Sequence, residues 1–153
     1  MKVTTTRFGE IDVRDEDVFD FPEGMLGFGA IKKYCTLKNP GGGPFEWLQA
    51  IEEPSLAFVI CDPLLFKPDY GISVKQEELA GIKVENIADA SVRVVLVVPR
   101  GNPERMTANL KGPIVFNTRE NLASQLILSG DTYDTRHRIF QQTPQAAASG
   151  QAE

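Results

Sequence analysis

The sequence predicts a mainly β protein, a small antiparallel β-barrel-like single domain with one or two short helices. Three observations carry that expectation. Apolar residues fall in strand-length runs, and 13 glycines and 10 prolines among 153 residues punctuate them. Valine, threonine and aromatic side chains, which fit a pleated and half-buried surface, crowd those runs. A closed or nearly closed barrel is preferred to an open sheet because closure hides the edges of valine-rich strands.

The elements follow in order. Lys2 to Phe8 reads as a strand, broken by Gly9-Glu10 before Ile11 to Arg14. Val18 to Phe21 alternates apolar and polar and stops at Phe21-Pro22-Glu23-Gly24. There Pro22 pre-sets the backbone torsion of a type I turn and Gly24 takes its fourth position. Ile31 to Lys38 extends again, ending at Asn39-Pro40-Gly41-Gly42-Gly43-Pro44. Phe45, Trp47, Gln49 and Ile51 then alternate with Glu46, Leu48 and Ala50, the period of two of a strand.

After Glu52-Glu53-Pro54-Ser55, the continuous apolar run Leu56 to Cys61 reads as a central strand, stopped by Asp62-Pro63. Residues 64–70 form an irregular connection, and Ile72 to Val74 is extended. The one clear helix is Gln76 to Ala80, with Ser73 as its expected cap and Gly81 as its stop. Val92 to Pro99, with five valines, is a buried strand. Thr107 to Leu110, Ile114 to Asn117 and Gln125 to Leu128 complete the set. From Gln141 the chain has no large apolar side chain, so 1–140 is expected to be the domain and 141–153 a disordered tail.

Composition narrows the function. Hydrophobic residues are 42% and charged residues 24%, ordinary for a globular domain. No apolar run approaches the roughly 20 residues of a membrane helix, and the opening Met1-Lys2-Val3-Thr4 lacks the apolar stretch of a leader. Cys35 and Cys61 lie in strand-like sequence without a CxxC spacing. They read as buried free thiols in a reducing cytoplasm.

Net charge is −5 and uneven. Between Gly9 and Gly24 stand Glu10, Asp12, Asp15, Glu16, Asp17, Asp20 and Glu23 against Arg14 alone, a local −6 that leaves +1 for the rest. Beyond Arg136-His137-Arg138 there is no basic stretch of the kind that tracks nucleic acid, so no direct nucleic-acid partner is expected. A partner for the acidic segment should be basic. The consecutive Asp15, Glu16 and Asp17 would all be exposed in a loop, whereas a strand would split them between faces.

Catalytic patterns are missing. The single histidine, His137, sits between arginines and reads as a surface side chain. No spacing supplies a metal shell, so neither metal nor cofactor is expected. Gly24-Met25-Leu26-Gly27-Phe28-Gly29 reverses the dinucleotide spacing and lacks a βαβ context. Cys61 beside Asp62 has an apolar setting that raises a thiol pKa. Asp62 and Asp69 read more simply as turn-capping carboxylates. The chain is thus expected not to be an enzyme, which leaves Phe45, Trp47 and Gln49 as binding candidates because large rings contribute most at protein contacts. The Trp47 ring is nevertheless expected to be buried in the core, with Gln49 and Asn109 nearer the working surface. A second reading is a small-ligand or metabolic barrel with a cavity lined by Phe58, Trp47 and Phe116.

Five segments, taken in order, resemble the FliW family of flagellar assembly factors. They are Phe21-Pro22-Glu23-Gly24-Met25-Leu26-Gly27-Phe28, Pro44-Phe45-Glu46-Trp47-Leu48-Gln49, Leu56-Ala57-Phe58-Val59-Ile60-Cys61-Asp62-Pro63, Pro68-Asp69-Tyr70, and Thr107-Ala108-Asn109-Leu110-Lys111-Gly112-Pro113-Ile114. The resemblance spans about Arg7 to Phe140. It implies a cytoplasmic, non-catalytic β-barrel, expected to be a monomer, with two protein partners. One is flagellin before export, and the other is the RNA-binding translational repressor CsrA, which such a factor antagonises so that flagellin is made. Asp62, Tyr70 and Asn109 join Asp15, Glu16, Asp17, Phe45, Trp47 and Gln49 as candidate contact residues.

Overall fold

Alternation starts the chain. In β1 (Lys2–Thr5), Val3 and Thr5 are buried while Lys2 and Thr4 face solvent. β2 (Gly9–Asp12) pairs with it antiparallel, from Lys2↔Asp12 to Thr5↔Gly9. The connection is tied by the Thr5 hydroxyl, which donates to the Gly9 carbonyl at 2.8 Å and accepts from the Phe8 N–H at 2.7 Å. Residues 6–8 therefore turn rather than extend, and the first strand is shorter than expected. In the computed structural model, which describes residues 1–140, this hairpin is a sheet of its own. Val3 and Val13 press onto Cys35, with Ile11, Val18, Leu37 and Ile51 around them. The expected tail, 141–153, lies outside the described residues.

The barrel comprises β3 (Val18–Asp20), β4 (Lys33–Lys38), β5 (Glu46–Ala50), β6 (Ala57–Cys61), β7 (Ser91–Val97), β9 (Ile114–Asn117) and β10 (Leu122–Gln125). Neighbours from β3 to β7 are antiparallel. β7 closes the wall by pairing its first half with β9, Ser91↔Phe116 to Arg93↔Ile114. Its second half instead pairs with β8 (Thr107–Ala108), which carries β11 (His137–Arg138) on its outer edge.

The last joint differs from the antiparallel pairings of the rest of the wall. β10 meets β3 in parallel, at the single bridge Leu122↔Asp20. This seam is the weakest part of the wall.

The interior holds Phe19, Phe21, Met25, Tyr34, Leu48, Ala50, Ile60, Ile114, Phe116 and Ala123. Edge-to-face rings knit it together, Phe19 to Phe116 at 5.0 Å and Phe21 to Tyr34 at 4.9 Å between centroids. Outside the wall, Leu79, Ile82 and Val84 cover Val115 and Leu126. A further cluster of Cys61, Val94, Leu96, Met106, Ala108 and Leu110 lies beneath Tyr70.

Three expectations shift in detail. The helix α1 (Gln76–Ala80) is capped at Lys75, not Ser73, because the Glu78 carboxylate accepts from the Lys75 N–H at 3.1 Å. β10 spans Leu122–Gln125 rather than Gln125–Leu128. His137 is half-buried in β11 with its ring stacked on Phe66 at 6.0 Å, so it is not simply a surface side chain. Both cysteines are buried and free, as expected.

Candidate functional site

The acidic segment forms a short 3-10 turn, Asp15–Asp17, that delivers the chain into β3. Asp15 and Glu16 are exposed and Asp17 is half-buried, so the cluster is less completely exposed than a free loop would make it. Arg14 lies against it, its Nε 3.2 Å from Asp17 Oδ2 and 3.6 Å from Glu16 Oε1.

The turn is held from far along the sequence. Asn121 Nδ2 donates to the carbonyls of Val18 at 2.8 Å, Glu16 at 3.0 Å and Asp15 at 3.4 Å. Its own carbonyl accepts from the Asp20 N–H at 2.9 Å. Asn121 sits at φ +54°, a left-handed conformation that asparagine tolerates better than most residues.

Glu16 and Asp17 rim a recess of about 310 Å³ at this end of the barrel. Phe19, Ile60 and Phe116 lie at its base, and Thr36, Ser91 and Thr118 add hydroxyls. Across it, Arg93 Nε donates to Glu46 Oε1 at 3.0 Å, with both side chains more than two-thirds buried. The pair is held by sheet geometry, since Glu46 and Arg93 point inward from β5 and β7. Excess charge at this mouth is negative, because Arg93 answers Glu46 while Glu16 and Asp17 share only Arg14.

The other sequence candidates do not join this site. Phe45 packs beside the cluster under Tyr70. Trp47, half-buried on the outer wall, meets Phe8 edge-on at 5.5 Å, and the Arg7 guanidinium stands 4.5 Å over its ring. Gln49 is fully buried. Its Nε2 donates to the carbonyls of Ala50, Pro54 and Leu56 at 2.9, 3.1 and 3.2 Å, tethering the turn before β6. The placement of Gln49 near a working surface is therefore corrected: its amide nitrogen serves backbone carbonyls of that turn, those of Pro54 and Leu56 also accepting from the N–H groups of Thr6 and Ala50.

Asp62 caps the 3-10 turn Pro63–Leu65, its Oδ1 accepting from the Leu64 N–H at 3.0 Å. The Tyr70 hydroxyl donates to the Leu110 carbonyl at 2.7 Å, and burial pushes its pKa upward. Asn109 Oδ1 accepts from the N–H groups of Lys111 and Gly112 at 3.1 and 3.0 Å. These three residues shape loops.

The expected ligand cavity does not form either. Phe58 and Phe116 belong to the interior cluster, but Trp47 lies outside the wall, so the three rings share no cavity. Burial raises the Cys61 thiol to about 12, with Asp62 adding to the rise, which keeps it protonated near neutrality. Among the described residues, no group of three or more His, Cys, Asp or Glu is placed to hold a metal ion, and no helix is long and apolar enough to cross a membrane.

Sequence reasoning missed Asn121 and the Glu46–Arg93 pair. An asparagine closing the turn Thr118-Arg119-Glu120-Asn121 was the available signal for the first. Nothing local marks the second.

This closed barrel with its acidic mouth has the architecture of a flagellar assembly factor. A solved structure described as the flagellar assembly factor FliW matches it with a TM-score of 0.85 at 32% identity, covering 93% of this chain and 99% of that one. The family model "FliW protein" matches residues 2–139. The chain belongs to the FliW family. Similar relatives include the flagellar assembly factor FliW of Alkaliphilus metalliredigens (strain QYMF), 39% identical over 93% of this chain and 88% of that protein. Another is the FliW of Geobacter sulfurreducens, 40% identical over 98% of this chain and 93% of its own length.

Proposed function

We propose that this chain is a cytoplasmic, non-catalytic partner-switch protein, which holds flagellin before export and, once freed, binds and antagonises a CsrA-type translational repressor. Family membership over residues 2–139 is the observation that carries the reading. The acidic mouth supports a basic second partner, since Glu16, Asp17 and Asp15 are displayed on a turn pinned by Asn121. A pinned turn costs little ordering entropy on contact, and its charge steers an oppositely charged protein toward it.

The test has two arms. The purified protein is mixed with monomeric flagellin, and the expected product is a 1:1 complex by size-exclusion chromatography with light scattering. It is then mixed with the repressor and its target RNA, and the expected result is release of the RNA, reversed by added flagellin. No complex in either arm overturns the proposal.

A further inference from the structure

β10 leaves β3 after one bridge, and a groove of about 390 Å³ opens where the two strands part. Pro22 and Glu23 form one wall and Ser124 to Ile127 the other. Glu77, Glu78, Gly81 and Ile82, in and just after α1, complete the lining. The backbone along this wall is an unfinished strand. Leu126 and Leu128 donate to the carbonyls of Pro113 and Lys111, both at 2.8 Å, so the bonds to the neighbouring segment fall on alternate residues. Gln125 and Ile127 accordingly direct their main-chain groups away from that neighbour, and Ile127 N–H and C=O have no backbone partner among the described residues.

Strand edges left open in monomeric proteins usually carry lysine, proline or a bulge. This one carries Ile127, 67% exposed, and beside it Leu26, 47% exposed, whose N–H is held by Gln125 Oε1 at 2.9 Å. The groove lining has three carboxylates and no basic side chain. Glu78 is partly engaged by its cap bond, while Lys32, at the outer side, is bonded to the Pro22 carbonyl at 3.0 Å.

We infer that this seam is a strand-addition site for an extended segment of another polypeptide, in which apolar residues alternate with lysine or arginine. Its backbone pairs with Gln125 and Ile127, its apolar side chains meet Leu26 and Ile127, and its basic ones meet Glu23 and Glu77. The backbone contacts give affinity and the alternating pockets give selectivity. The inference stands on the open edge and its charge, independently of which assembly partner binds elsewhere.

The probe is the capped hexapeptide Lys-Val-Lys-Val-Lys-Val, added at millimolar concentration to the isotopically labelled full chain. The expected result is slowing of Ile127 amide exchange by at least about tenfold, with chemical-shift changes confined to residues 22–26, 76–82 and 124–128. Alternate N-methylation of the peptide should abolish the effect, and Glu23→Gln with Glu77→Gln should weaken it several-fold while the melting temperature holds. Unchanged Ile127 exchange overturns the inference. So does equal protection by the N-methylated peptide or by the Glu-Val-Glu-Val-Glu-Val analogue.

Discussion

The two ends of the barrel are built from the same strands and finished in opposite ways. Along β6, Ile60 lies at the base of the acidic recess, while Phe58 meets Phe28 edge-on at 5.6 Å near the other end. At the acidic end, polar groups from β4, β5 and β7 line an opening and a hydrogen-bonded turn forms its rim. At the far end, residues 22–31 fold across the mouth, using Gly24 at φ +69° because a Cβ there would stand 2.7 Å from Gly29 Cα and Phe28 O. One end is open and charged, and the other is plugged and apolar. Stability should therefore concentrate in the interior cluster behind the plug, and partner selectivity near the rim.

The sharpest way to break that comparison is Phe21→Ala. Phe21 is fully buried and touches Tyr34 and Phe116 edge-on, so truncation removes the centre of the interior cluster. The expected loss is about 3–5 kcal/mol in denaturant unfolding. Phe28→Ala, at a ring 39% exposed, should cost well under half as much. Equal losses would show that the plug is as much core as the barrel.

Asn121→Ala tests the rim. It removes three donated bonds and places a less tolerant residue at positive φ, so the expected cost is about 1–3 kcal/mol. The effect should be local as well, with faster amide exchange across residues 15–18 and unchanged exchange in β5 and β6. Uniformly faster exchange would mean that the seam, not the turn, depends on Asn121.

What could be read in advance follows the range of the interactions. The turn at Phe21–Gly24, the helix Gln76–Ala80 and the alternation in β5 are local patterns, and they stand. The inward face of β5 was not legible, because Phe45, Trp47 and Gln49 look as apolar as Glu46, Leu48 and Ala50. The face choice is made by partners: Leu48 joins the interior, while Arg7 and Phe8 from the first hairpin take Trp47. β10 was misplaced because Leu126 and Leu128 continue its alternation and its backbone bonding past Gln125, where Leu126 packs with Leu79 and Ile82. The acidic turn was visible as charge. Its clamp is not visible from the turn, since Asn121 is about a hundred residues away in sequence.

Trp47→Ala sharpens the contrast between inside and outside. A ring in the core would cost several kcal/mol. A half-buried ring under an arginine and a phenylalanine should cost about 1–2 kcal/mol. A larger loss would place Trp47 among the residues that hold the barrel closed.

The smallest effect on stability is expected from reversing Asp15, Glu16 and Asp17 to lysine. None of the three is buried, and the pairs with Arg14 are exposed on the arginine side, so their removal should cost no more than about 1 kcal/mol. Asn121 holds this turn through its carbonyls, which the reversal leaves in place. The consequence should instead appear in kinetics. An exposed negative cluster accelerates encounter with a basic protein, and salt screens that attraction over about 10 Å at 0.1 M. Association of the reversed variant with the CsrA-type repressor should be slower at low ionic strength and converge on the parent rate as salt rises. Dissociation should change less, because rim charges act mainly before contact. Stopped-flow fluorescence across a salt series distinguishes the cases. Parallel salt slopes for parent and variant would mean that the rim is solvated surface, and that a basic partner docks elsewhere on the barrel.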